Sequence, residues 1–95
     1  MKTCTLYGAQ IADIEALHAA LAEAFGFPAW YGRNLDALHD LLTEPMEPTT
    51  LTIYDWDALA ETLGDKASAL RRVLNDAGQD NPNLTVLILG GEDEI

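Results

Sequence analysis

Three short segments rich in β-branched and apolar residues constrain the fold of this chain more than any other feature. They lie at residues 3–7, 49–54 and 84–89, and segments of this kind predict β-strands. Far more residues separate them than a hairpin turn needs, which predicts crossover connections and a small parallel sheet. Because the segment at 84–89 is apolar without alternation, we expect that strand to be covered on both faces.

The intervening stretches show helical periodicity and residues that end helices. Asp13 is placed to cap the first helix, and Gly26 and Pro28 follow its last apolar residue. Three further helices are predicted, at 35–43 after an Asn34 cap, from Asp55 or Asp57 to 63, and from 65 to about 77. The predicted order is therefore β-α-α-β-α-α-β, an α/β fold with a three-stranded parallel sheet packed against about four helices.

The charge of the chain limits its partners. Its 95 residues include 16 acidic and 5 basic side chains, for a formal net charge of −11. Nucleic-acid binding needs a basic surface to replace phosphate counterions, and anionic lipid repels such a chain. The imbalance favours a cationic partner. We expect one domain over residues 1–90, monomeric when free, and a polar tail over 91–95.

No segment predicts export or membrane insertion. The first ten residues lack the apolar stretch of a signal peptide, and no run approaches the roughly 18 apolar residues of a membrane span. Cys4 is the single cysteine, so it forms no internal disulfide, and its apolar surroundings predict a small buried side chain. We therefore expect a cytoplasmic protein.

The predicted second helix separates leucines from carboxylates. At about 100° per residue, Asp36 and Asp40 lie about 40° apart, and Glu44 would lie about 80° from Asp36 if the helix reached it. The leucines at 35, 38, 41 and 42 occupy the opposite side, and His39 flanks the acids. We expect the leucines to pack on the core and the acidic stripe, Asp36 and Asp40, to face outward.

On the residues alone, the acidic stripe has more than one interpretation. Arg33 is the one basic residue between 30 and 48, so cations of another molecule could neutralise the stripe. A solvated face in an acidic protein explains the same pattern. The stripe could also bind a different basic partner, such as a regulatory protein. It is compatible as well with a role in assembly, in which the acids only confer solubility.

Catalysis and metal binding find little support in the same segment. Ser68 is the one serine, there is no glycine-rich phosphate loop, and carboxylates facing solvent are not tuned for general acid catalysis. His39 and Asp36 could supply two metal ligands, fewer than a zinc site needs. His18 falls within the apolar stripe of the first helix, which predicts a buried structural histidine. No enzyme activity, metal or cofactor is predicted.

The segment AWYGRNLDALHDLLTE at 29–44 resembles the barstar family, small intracellular inhibitors of a secreted bacterial ribonuclease. The resemblance extends to Gly8, Gln10–Ile11, Leu17–His18 and Pro28, and to residues 73–89, and is weakest between 45 and 72. It implies an α/β fold with a three-stranded parallel sheet. It also implies that the second helix and the loop before it plug the active site of a basic ribonuclease, with a carboxylate in the place of RNA phosphate.

The resemblance assigns roles to individual residues. Asp40 is the implied phosphate mimic and principal anchor, and Asp36 supplies a second carboxylate. Trp30 takes an aromatic contact position, which we expect to be exposed above a packed Tyr31. Gly32, for which we expect a positive φ, and Asn34 shape the loop. Asp76 in the last helix matches a peripheral acid of the family.

Three departures from the family pattern indicate a different target. His39 stands where the family has a contacting tryptophan, which leaves a smaller, titratable side chain at the edge of the contact. Glu44-Pro45 replaces a Gly-Trp pair, and Arg33 replaces an acid. We therefore expect the partner to be another basic secreted ribonuclease or a ribonuclease-type toxin.

Overall fold

The computed structural model describes residues 2–90 of the chain. Its elements follow the predicted order, with one short 3₁₀ turn added after the first strand. In chain order they are β1 (Lys2–Tyr7), the 3₁₀ turn (Gly8–Gln10), α1 (Ile14–Phe25), α2 (Leu35–Leu42), β2 (Thr49–Tyr54), α3 (Trp56–Leu63), α4 (Asp65–Asp80) and β3 (Leu84–Ile88). The predicted tail at 91–95 lies outside the described residues.

The three strands form one parallel sheet in the order β1-β2-β3, as predicted. Thr49, at the start of the central strand, lies opposite both Lys2 and Leu84. Helices α1 and α2 connect β1 to β2, and α3 and α4 connect β2 to β3. Each pair of neighbouring strands is therefore joined by two helices rather than by a turn. Such a long connection carries the chain back to the end of the sheet where it started, so the next strand runs parallel to the last.

The sheet packs on the core with one face. The residues of that face belong to the hydrophobic core or pack against it, and they are Cys4, Leu6, Leu51, Ile53, Val86 and Ile88. The opposite face carries threonines and Leu87, whose side chain is 46% exposed. The prediction that the strand at 84–89 is covered on both faces is therefore wrong. That strand lies at the sheet edge, and an apolar run cannot distinguish an edge strand from a central one.

Two helix boundaries were correctly predicted from single residues. The Oδ1 atom of Asp13 accepts a hydrogen bond of 2.8 Å from the Ala16 N–H at the start of α1. Gly26 ends α1 in the left-handed conformation, with φ of 71°, which glycine adopts without steric cost. Helix α4 runs to Asp80 rather than to Ala77, and stops where Asn81 becomes extended before Pro82.

The start of α3 differs from the prediction. Asp55 occupies the cap position with φ of 57°, but its side chain makes no capping hydrogen bond, and Asp57 lies inside the helix. The Trp56 N–H donates instead to the Leu89 carbonyl over 2.8 Å. A backbone carbonyl directly after β3 thus satisfies an N–H group at the start of α3, where the sequence predicted that an aspartate side chain would do so.

A buried polar pair joins α1 to the segment that precedes α2. His18 and Tyr31 are 3% and 7% exposed, and the His18 Nδ1 atom lies 2.6 Å from the Tyr31 hydroxyl. Burial lowers the pKa of His18, with Arg33 adding to the effect, and burial raises the pKa of Tyr31 to about 12. Both groups are therefore uncharged at neutral pH, and the predicted structural role of His18 is confirmed.

Replacing Gly8 should destabilise the protein, whereas replacing Gly78 should not. A Cβ atom on Gly8 would contact the Asp55 carbonyl and lie 2.9 Å from the Leu59 Cβ, and such overpacking costs roughly 1 to 3 kcal/mol. On Gly78, inside α4, the nearest atom would be the Val86 Cγ2 at an ordinary 3.5 Å, so alanine should gain up to about 1 kcal/mol from helix propensity. Urea unfolding of Gly8→Ala and Gly78→Ala measures both, and equal stabilities would contradict the packing described.

The stability of the protein should fall on mild acidification because of His18. A histidine whose pKa is lowered by folding binds fewer protons folded than unfolded, so its contribution is fully present above the unfolded value of about 6.5 and is lost as pH falls below it. We expect the free energy of unfolding to fall more steeply between about pH 6.5 and 5.5 in the wild type than in His18→Gln, by at most about 1.4 kcal/mol per pH unit. Parallel pH dependences would show that His18 is not responsible.

Candidate partner-binding surface

The connector between α1 and α2, residues 27–34, places two adjacent aromatic residues in opposite environments. The Tyr31 N–H closes a turn onto the Pro28 carbonyl over 3.0 Å, and the Tyr31 ring packs on that of Phe27 with centroids 4.9 Å apart. Trp30 is 75% exposed. The expectation of an exposed Trp30 above a packed Tyr31 is confirmed, and the His18–Tyr31 hydrogen bond supports the connector from below.

The backbone before α2 departs from one prediction. Positive φ falls at Arg33, with φ of 52°, and not at Gly32. A left-handed conformation costs a non-glycine residue on the order of 1 kcal/mol, and it turns the chain into the extended Asn34. A Cβ on Gly32 would lie 3.1 Å from the Asn34 Nδ2, so a larger residue there would press on the side chain that caps α2.

Asn34 begins α2 as predicted. Its Oδ1 atom accepts a hydrogen bond of 2.8 Å from the Ala37 N–H, which satisfies one of the N–H groups that a helix start leaves free. Asp36 lies in the first turn of α2, where the helix dipole favours a negative charge. The connector and the helix are therefore joined by a well-defined cap.

Helix α2 has the two faces that its sequence predicts. Leu38, Leu41 and Leu42 are buried, while Asp36 and Asp40 are exposed. The angular spacing of the leucines along the helix explains this separation into two faces. Both carboxylates of the acidic stripe thus point to solvent from a helix whose other side belongs to the core.

Glu44 does not extend the acidic stripe along the helix. Helix α2 ends at Leu42, and Thr43 has φ of −100° and ψ of 2°, so the helix predicted to Thr43 is one residue too long. Pro45 disfavours the helical conformation for the residue before it. The Glu44 carbonyl accepts a hydrogen bond of 3.3 Å from the Asn81 Nδ2, and its side chain is exposed beside α2.

His39 contacts an acid on the neighbouring helix. Its Nε2 atom lies 3.4 Å from the Asp80 Oδ2, and the two side chains are 36% and 63% exposed. Asp76, which is exposed, lies one turn before Asp80 on α4, on the same helix face. Sequence reasoning missed Asp80 because it ended α4 near Ala77, although the four-residue spacing from Asp76 could have indicated it.

The carboxylates of this surface lack basic neighbours. Within residues 2–90 the one ion pair is His39–Asp80, so no lysine or arginine side chain comes within pairing distance of Asp36, Asp40, Glu44 or Asp76. Arg33, the basic residue nearest in sequence, does not pair with them. A field of one sign results, and it attracts cations of another molecule.

Residues 2–90 show neither a cluster of metal ligands nor a membrane-spanning helix. No three histidine, cysteine, aspartate or glutamate side chains in the described part of the chain are grouped as metal ligands. No helix among residues 2–90 is long and apolar enough to cross a membrane. We call the surface formed by the connector, α2 and the end of α4 the acidic surface. Its distinguishing features are its exposed carboxylates and the exposed side chain of Trp30.

Comparison with known proteins agrees with this geometry. A family model described as Barstar (barnase inhibitor) matches residues 1–88. A protein of Bacillus subtilis (strain 168) named "Putative ribonuclease inhibitor YrdF" is 35% identical over 81 residues, which cover 84% of this chain and 89% of the relative. Both descriptions name inhibitors rather than enzymes. With the family model matched over almost the whole chain and the three-stranded parallel sheet in place, the chain belongs to the barstar family.

Proposed function

We propose that this protein inhibits a basic bacterial ribonuclease by covering its active site with the acidic surface. The observation that carries the proposal is that Asp36 and Asp40 are exposed on one side of α2 with no lysine or arginine of residues 2–90 paired to them. Membership of the barstar family supports a barnase-inhibitor-like role in general.

The chemistry of the two aspartates suits a ribonuclease. Such an enzyme binds the RNA backbone with lysine, arginine and histidine side chains, so its cleft is cationic. A carboxylate can accept the same charge-assisted hydrogen bonds as a phosphate oxygen. Asp40 acts as the principal anchor and Asp36 as a second acceptor. Because α2 is held by buried leucines, the backbone that carries both carboxylates needs no rearrangement on binding, which lowers the free-energy cost of association.

The remaining residues of the acidic surface surround this pair. Trp30 provides an aromatic contact, a residue type enriched among strong interface anchors. Gly32 and Asn34 shape the connector and expose its backbone, while His39 on α2, Glu44 after that helix and Asp76 on α4 lie around the aspartates. The surface thus has two charged acceptors and one large apolar side chain within a polar rim, and a polar rim is typical of protein interfaces.

The target is a ribonuclease that the cell secretes or receives, including one delivered as a toxin. An inhibitor of such an enzyme protects the RNA of the cytoplasm, where we place this protein. His39 and the Glu44-Pro45 pair stand where the family carries aromatic residues, and this supports a target other than the usual one. A different basic toxin or regulatory protein is the alternative that the same surface would serve.

Inhibition should be measurable with a panel of purified basic microbial ribonucleases and a fluorogenic RNA substrate. We expect at least one enzyme to lose its activity at a one-to-one ratio of protein to enzyme. The double variant Asp36→Asn with Asp40→Asn, which keeps the shape of both side chains, should not inhibit that enzyme. If no enzyme of the panel is inhibited, the alternative basic partner replaces the proposal.

Asp40→Ala should weaken the complex by at least about 2 kcal/mol, the loss typical of a hot-spot residue and about 30-fold in Kd. Glu61→Ala is the matched control, because Glu61 is an exposed acid on α3, a helix without proposed contact residues. Surface plasmon resonance should give a Kd within about twofold of the wild type for this control. An unchanged Kd for Asp40→Ala would place the interface elsewhere.

A further inference from the structure

His39 is a titratable group of the acidic surface and lies where α2 meets α4. Its Nε2 atom lies 3.4 Å from the Asp80 Oδ2, and this contact joins α2 to α4. It is the one ion pair among residues 2–90, and its cationic partner carries a charge only when protonated. The remaining acids of the surface have no such partner, so among residues 2–90 a protonated His39 is the one cation that pairs with an acid of this surface.

The charged groups around His39 are nearly all acidic. On α2, Asp36 lies one turn before it and Asp40 follows it directly; on α4, Asp80 contacts it and Asp76 lies one turn further away. Arg72 is the basic residue of α4 nearest to this group, one turn before Asp76, and it pairs with no acid of the described residues. A proton on His39 in the free protein therefore lies beside the Asp80 carboxylate, on a helix whose other charged residues are Asp36 and Asp40.

Binding of a cationic partner changes those surroundings. The partner would bring lysine or arginine side chains to the carboxylates that face His39, so a protonated imidazole would meet like charges in place of free anions. Like charges brought together in a partly desolvated interface repel each other strongly. A neutral imidazole avoids that repulsion and can still donate a hydrogen bond from Nε2 to Asp80.

We propose that binding of a basic ribonuclease to the acidic surface is linked to the release of a proton from His39, so that the affinity falls as the solution is acidified. The inference rests on the proposed function and deepens it by naming how the site responds to pH. By linkage, a proton that the free protein holds and the complex excludes weakens binding by up to about tenfold for each pH unit.

The test compares the wild type with His39→Gln, whose side chain is neutral at every pH and can still donate to Asp80. Isothermal titration calorimetry with the ribonuclease most strongly inhibited in the panel gives Kd at several values between about pH 5.5 and 8. The titratable groups of the ribonuclease are the same in both experiments, and the wild type and His39→Gln both contain His18. These groups therefore affect the pH dependence of the two Kd values equally. The ratio of the two Kd values therefore isolates His39, and circular dichroism verifies that both proteins are folded at each pH.

We expect the ratio of wild-type to His39→Gln Kd to be constant above about pH 7.5 and to rise by about tenfold on going to pH 5.5. A ratio that is constant over the whole range would show a purely structural role and would overturn the inference while leaving the proposed function in place. A ratio that falls on acidification would overturn it too. If no ribonuclease binds at any pH, the proposed function fails and the linkage fails with it.

Discussion

The packing of the leucine face of α2 determines where the carboxylates of that helix can lie. Leu38, Leu41 and Leu42 are buried, and burying a leucine side chain contributes roughly 1.5 to 3 kcal/mol. Since the angular spacing of a helix is constant, these contacts leave Asp36 and Asp40 no orientation except towards solvent. The core therefore holds the backbone that carries both anionic groups in place, and a partner meets them on the same side of one helix.

The connector before α2 depends on the same core. Trp30 is exposed and Tyr31 is buried, although they are neighbours in the chain, because the Tyr31 hydroxyl reaches His18 on α1 and its ring packs on Phe27. Leaving a buried hydroxyl or imidazole without a hydrogen-bond partner would cost about 1 to 3 kcal/mol. The hydrogen bond between His18 and Tyr31 therefore keeps both side chains in their buried positions. One buried hydrogen bond thus links the packing of α1 to the exposure of an aromatic side chain at the acidic surface.

The acidic surface contributes little to the stability of the fold. Two like charges four residues apart in a helix destabilise it by about 0.2 to 0.5 kcal/mol, and only the position of Asp36 in the first turn offsets part of this. Asp80 is the exception among these acids, because it contacts His39. Charges left without partners in the folded chain are available to another molecule, and this physical argument connects the geometry of the surface with the inhibition that we propose.

Local sequence determined the elements of this protein and the side that each helix presents, because periodicity, caps and chain-breaking residues act over a few positions. Asp13, Gly26 and Asn34 were predictable for that reason, as was the outward orientation of the acidic stripe. The tertiary structure alone decided which elements meet. Leu87 is exposed because it lies on the face of the sheet that does not pack on the core, and His39 contacts Asp80 because α2 packs on α4. Such neighbours are far apart in the chain, and no local pattern records their distance in space.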